Sequence, residues 1–207
     1  MKSKMFAKNL YTMRYSLKEF CARNKFKIIF CVIFCVIGIL TGIFTAIKIF
    51  GLDEEEIFES FNLTYQLDDL ERFSANFFSR LLSYELVIIL LALFALHPAL
   101  YIFGWCLLAY RAFLISINCT MIILWFSFNG IIKALLILLP CQILMLAIMI
   151  CFYCYVCYQI KDCKFQKKKR FMGILYPFLI TSLALTVINL LETTLLFIFR
   201  SNVILVI

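Results

Sequence analysis

Apolar residues arrive in five long runs, approximately 26–50, 86–110, 112–128, 131–158 and 171–199, with polar residues gathered between them. A helix crosses about 30 Å of hydrocarbon in roughly 17–25 residues, so every run is long enough to span. Asn129-Gly130, between the third and fourth runs, is a turn signal with almost no room for a loop. The predicted centre of the chain is therefore a hairpin from Arg111 through Asn129-Gly130 and Lys133 to Pro140-Cys141-Gln142. The pattern predicts an all-α, polytopic membrane protein of about five transmembrane helices in one membrane domain, residues 26–207.

Two stretches outside the runs carry a helical period. In residues 1–25, Phe6, Leu10, Met13, Leu17 and Phe20 step by 4, 3, 4 and 3 among many lysines. A basic amphipathic helix resting in the cytoplasmic headgroups is expected, as a topology anchor or a partner-binding arm. In the segment 51–85, Leu67, Leu70, Phe73, Phe77 and Leu81 repeat at the same spacing. That predicts a second amphipathic helix, lying on the opposite leaflet or docking a partner through Leu67, Leu70, Phe73 and Phe77.

Charge orients the pattern. Hydrophobic residues make up 65% of the chain and charged residues 15%, well below the quarter or so of soluble domains. The net charge of +8 would suit nucleic acid until it is mapped. Residues 1–27 are net +7, the segment 51–85 is net −7, and Lys161–Arg170 is net +5. Basic clusters mark the cytoplasmic side, so the expected topology is N-terminus inside and C-terminus outside, with lipid rather than nucleic acid as the partner of the lysines. The first run is too long for a signal-peptide core and lacks a small-x-small cleavage site.

Within the runs, polar and small residues are the candidates for specific contacts. Gly38, Gly42 and Ala46 form a small-residue stripe that admits a neighbouring helix, either the protein's own or that of a second copy. His97 precedes Pro98, which predicts a kink with a locally bonded imidazole rather than a metal or catalytic site. Arg111 is expected at the cytoplasmic turn, with Asn118 offering hydrogen bonds between helices and Lys133 reaching for outer headgroups. Gln142 would satisfy backbone freed by a mid-helix Pro140. In the last run Ser182, Thr186, Asn189 and Thr193 step by 4, 3 and 4, with Glu192 at the edge of that face. An ionisable group in a membrane helix points into the bundle or a wet cavity. Glu192 fits either a proton or substrate site or a contact to Lys133.

Catalytic patterns are missing. The sequence has no phosphate-binding Gly-Lys loop, no His-Glu-x-x-His pair and no Gly-x-Ser-x-Gly elbow. The acid run Asp53–Glu56 lacks the ligand spacing of a calcium loop. Most of the ten cysteines lie in apolar runs, where a thiol behaves as a small hydrophobe. Of the run Cys151, Cys154, Cys157 and Cys163, the first three are spaced by three around one helix, a poor geometry for a metal cluster. A non-enzymatic protein without cofactor or metal is expected.

One stretch resembles a known family. Tyr110-Arg111-Ala112-Phe113-Leu114, then Gly130-Ile131-Ile132-Lys133-Ala134-Leu135-Leu136, then Leu139-Pro140-Cys141-Gln142-Ile143-Leu144 resemble the stage II sporulation protein M family. Glu192 matches an acidic residue often present in that family's last helix. The family's helix after the basic turn is usually glycine-rich, whereas Ala112, Ile115 and Cys119 stand there in this chain. The resemblance implies a bacterial membrane scaffold that anchors peptidoglycan hydrolases during engulfment, docking them through the external segment 51–85. The Phe, Ile, Lys and Asn bias suits an AT-rich bacterial genome. A different class remains open beside it: a permease subunit, ATP-driven or not, with Asn118, Gln142 and the Ser182–Thr193 face along its pathway.

Overall fold

The computed structural model describes residues 2–50, 70–133, 138–162 and 167–198. Among them the chain is helical apart from the turn near His97. The helices are α1 (Lys2–Phe50), α2 (Leu70–Ala95), α3 (Tyr101–Lys133), α4 (Leu139–Asp162) and α5 (Lys167–Ile198), with a 3₁₀ turn at Pro98–Leu100. Each of the five contains a stretch long and apolar enough to cross a membrane: Asn24–Ile49, Phe73–Ala95, Tyr101–Leu124, Leu139–Ile160 and Ile174–Leu195. The outward faces are apolar too. Phe26, Leu40 and Phe44 on α1, Leu82 on α2, and Tyr176 and Leu183 on α5 are all more than half exposed. Such a surface is suited to lipid and would be an aggregation hazard in water. Five helices long and apolar enough to cross a membrane are the pattern of a multi-pass membrane protein.

The span boundaries differ from the sequence expectation, and one dipeptide accounts for most of it. Helix α2 stops at Ala95 rather than continuing through a kink to Tyr110. Proline disfavours helical backbone at the residue before it and has no N–H of its own. His97-Pro98 therefore ends one helix and starts the next instead of bending one. The His97 imidazole serves as the cap, its Nδ1 accepting from the Ala99 N–H at 3.3 Å, while Leu100 N donates to the His97 carbonyl at 2.9 Å.

Everything after and before that break shifts. The predicted span 86–110 becomes Phe73–Ala95, so residues 73–85 lie within a span rather than in an external helix. Arg111 falls within α3 instead of at a turn, and Asn129-Gly130 lies inside the same helix, which runs on to Lys133. The predicted hairpin 112–128/131–158 is thus replaced by α3 and α4. A helix already several turns long overrides a turn dipeptide, because each added residue gains a backbone hydrogen bond. Pro140 is the second residue of α4, directly after the π-helical residue Leu138.

The basic segment 1–25 is not a separate helix. Helix α1 runs unbroken from Lys2 to Phe50, because nothing between the basic residues and Ile28 stops a helix. The acid run Asp53–Glu56 and Leu67, one of the expected docking residues, lie outside the described residues, as does Cys163.

Packing centres on α4. It touches all four other helices, and 44% of its span is buried inside the bundle against 17–33% for the others. Its Met145, Met149, Phe152, Tyr153, Val156 and Ile160 form the core with Ile88 and Leu91 of α2, Leu108 of α3 and Leu185 of α5. Helix α1 packs along α3 instead, with Gly38 and Gly42 against the Ala109 and Phe113 backbone and Ala46 fully buried. A Cβ at Gly42 would sit 2.6 Å from the Phe113 carbonyl oxygen, so these glycines fit because they lack one. Ser116 adds a hydrogen bond from its Oγ to the Ile39 carbonyl at 2.9 Å.

Candidate functional site

Ionisable side chains inside apolar spans are the first place to look for function, since each is costly there. Besides Lys25, Lys27 and Lys48 of α1, the described spans hold four charged side chains: Arg80 and Glu85 on α2, Arg111 on α3, and Glu192 on α5. Together with Ser83, Tyr84, Gln142, Ser182 and Asn189 they form a polar seam along α2, which faces α3, α4 and α5 in turn.

The lower-numbered end of α2 carries the densest part. Glu192 is fully buried, and its carboxylate accepts from Arg80 Nη1 at 2.8 Å. Gln142 Nε2 lies 2.8 Å from both carboxylate oxygens and donates to the Tyr84 hydroxyl at 3.0 Å. One carboxylate thus ties α2, α4 and α5 together. Asn189, one turn before Glu192, donates to the Phe77 carbonyl at 3.1 Å, and Thr193 donates to the Asn189 carbonyl at 2.7 Å. Asn189 Oδ1 is buried without a partner. Position explains the density: Glu192 lies three residues from Leu195, and Gln142 three from Leu139, so both sit near one end of the bundle.

Midway along the bundle the arrangement is sparser. Arg111 lies ten residues from Tyr101, about 15 Å into its span at helical rise. Its Nη2 donates to the carbonyl and the hydroxyl of Ser83, each at 2.6 Å, and its guanidinium stands 5.1 Å from the centre of the Tyr84 ring. Tyr84 therefore connects both arginines through one side chain. Its face meets Arg111, and its hydroxyl joins Gln142 and so Glu192. Glu85 points elsewhere, accepting from Ser182 Oγ at 2.6 Å, while Thr186 donates to the Ser182 carbonyl at 2.9 Å.

The residues expected from sequence divide between this seam and other places. Gln142, Asn189 and Glu192 belong to it, and Arg111 joins it through Ser83 and Tyr84. Glu192 pairs with Arg80 rather than with Lys133, which is the last residue of α3. Gln142 bonds side chains, not backbone freed by Pro140. Asn118 is half-buried on α3. Phe73 and Phe77 are half-buried in the span of α2, and the Phe77 carbonyl serves Asn189. Leu70 is the first residue of α2. Gly38, Gly42 and Ala46 face α3, far along the sequence from the seam.

Arg80, Ser83, Tyr84 and Glu85 escaped the sequence reading as a set. A window from Phe73 to Ala95 holds only two charged residues, Arg80 and Glu85, five positions apart. That spacing was the available signal, masked by the acidic residues that precede it.

A second cluster is made of thiols. Cys31 of α1 lies beside Cys154 of α4, with Cys35 and Cys157 near Cys31, all four buried. Cys151 is exposed on the other side of α4. Among the described residues no group of three or more His, Cys, Asp or Glu side chains is placed to hold a metal ion. Comparison with protein-family models, with curated proteins and with solved structures returned no match for this chain.

Proposed function

We propose that this chain is a non-enzymatic membrane scaffold, a preassembled five-helix platform that holds other proteins at a membrane. The observation that carries the reading is the use made of Glu192. Its two oxygens take hydrogen bonds from Arg80 on α2 and Gln142 on α4, so the acid is consumed in clamping three helices. A buried carboxylate satisfied in this way suits a fixed structure better than a cycle of proton or substrate release.

The resemblance to the stage II sporulation protein M family names the partners. On that reading the membrane is a bacterial cytoplasmic membrane and the partners are peptidoglycan hydrolases. The N-terminus is inside and the C-terminus outside, from the positive charge of residues 1–27 and Lys161–Arg170. Of the residues that carry the resemblance, Tyr110–Leu114 and Gly130–Lys133 fall on α3 and Leu139–Leu144 on the start of α4, while residues 134–136 lie outside the described residues.

A transporter subunit is the second reading, favoured by one observation: Glu85 and Arg111 put a carboxylate and a guanidinium near the midpoints of adjacent spans. Affinity recovery of the tagged protein from gently solubilised native membranes tests both. Recovery of peptidoglycan hydrolases is the expected result, whereas stoichiometric recovery of a cytoplasmic ATPase would replace the scaffold by the permease. A Glu192→Gln variant that keeps its fold and its partners would agree with a structural acid. Loss of a measurable solute flux in that variant would not.

A further inference from the structure

Arg111 has no counter-ion among the described residues. Glu192 is engaged by Arg80 and Gln142, and Glu85 by Ser182, so both carboxylates of the neighbouring spans are turned to other partners. Arg111 is held only by one serine and an aromatic face, and its Nε is buried without a hydrogen bond. A guanidinium so far from either end of its span cannot be neutralised cheaply. Snorkelling would carry the head group toward an interface, yet here it is bonded to Ser83, itself ten residues from Phe73 and equally deep. Lipid phosphates lie about 15 Å away at that depth.

The surface beside Arg111 is open. Its hydrogen-bond partner Ser83 is exposed, as are Ser79 and Leu86 about one turn to either side on α2 and the adjacent Tyr110 on α3, so two serines interrupt an otherwise apolar outward face here. Small and hydroxylated residues let a helix approach closely and offer it hydrogen bonds. Charge complementarity selects the occupant: a helix bearing a carboxylate at its midpoint. A second copy of this chain is a poorer match, because its described span carboxylates are already bonded within the bundle.

We propose that the α2–α3 face around Arg111 receives one transmembrane helix of a partner protein, and that a carboxylate near the middle of that helix pairs with the guanidinium. The proposal stands whether the protein is a scaffold or a transporter subunit, since either could carry a single-span companion.

Reconstitution tests it without knowledge of the partner. The full chain, with a fluorescent donor fused at its N-terminal end, is placed in phosphatidylcholine vesicles and titrated with acceptor-labelled Leu-Ala transmembrane peptides. The peptide with a central Glu should bind about tenfold more tightly than the all-apolar peptide, the scale of polar contacts between model helices. Moving the Glu seven residues toward one end should remove the advantage. An Arg111→Lys variant should keep most of it and Arg111→Leu should lose it. Equal binding of the Glu and all-apolar peptides to the wild-type protein overturns the proposal, with no variant needed. So does an unchanged Glu advantage in Arg111→Leu. Arg111-dependent self-association that excludes the peptide would also overturn it, by putting a second copy on the face.

Discussion

Helices α1 and α3 are held together by closeness, whereas α2, α4 and α5 are held together by charge. In the first seam the Gly38 and Gly42 positions bring backbone onto backbone, and Ser116 adds a hydrogen bond between the two helices. In the second, a carboxylate, a guanidinium and a carboxamide span three helices through contacts of 2.8 Å. Lipid removes the hydrophobic drive between helices, so packing and hydrogen bonds must replace it. The two seams show the two replacements separated in one chain. They should also fail differently, since a steric seam fails by intrusion and a charged one by removal of a partner.

The largest effect is expected in the charged seam. Glu192→Leu removes the buried acid that Arg80 pairs with and should cost about 3–5 kcal/mol, measured by reversible unfolding in mixed micelles. Adding Arg80→Met should recover most of that loss, since removing both charges of a buried pair is often nearly neutral. A double variant as unstable as the single one would show that the pair matters for more than mutual neutralisation. Intrusion into the steric seam comes next. Gly38→Val places a branched side chain against the Ala109 backbone and should cost about 1–3 kcal/mol, the range for overpacking. Its signature would be separation of α1 from α3, read by faster cross-linking of engineered cysteines to lipid-soluble probes. Gln142→Leu should follow at about 1–2 kcal/mol, because Glu192 keeps its arginine but loses the carboxamide. Ser116→Ala is the smallest, about 0.6 kcal/mol, the average of interhelical hydrogen bonds measured in a membrane protein. If Ser116→Ala exceeded Gly38→Val, the division into a steric and a polar seam would collapse.

The same contrast explains what could be read from sequence. Helix number and class were legible because hydropathy acts over twenty residues and tolerates local error. The small-residue spacing Gly38-x-x-x-Gly42 was visible as a packing surface, although only the fold says which helix it meets. The polar seam was less legible. Gln142, Asn189 and Glu192 stood out as polar letters in apolar runs, but their partners Arg80 and Tyr84 lay in a stretch read as external. That error traces to Pro98. A proline in an apolar run is compatible with a kinked span or with two spans, and local sequence does not decide between them. Choosing the kink moved the preceding span forward and left Arg80 and Glu85 outside it. Asn129-Gly130 compounded the shift, since a turn-favouring dipeptide is only a local preference and the helix around it continued.

Helix α1 has a mechanical consequence. Its 49 residues extend about 73 Å at helical rise, more than twice the thickness of a hydrocarbon layer. The part before Asn24 therefore adds about 33 Å of unbroken helix to the stretch that rests on α3. A body that gripped the first twenty residues would hold a lever. Turning it would twist the close contact at Gly38 and Gly42 with no joint in between to absorb the motion.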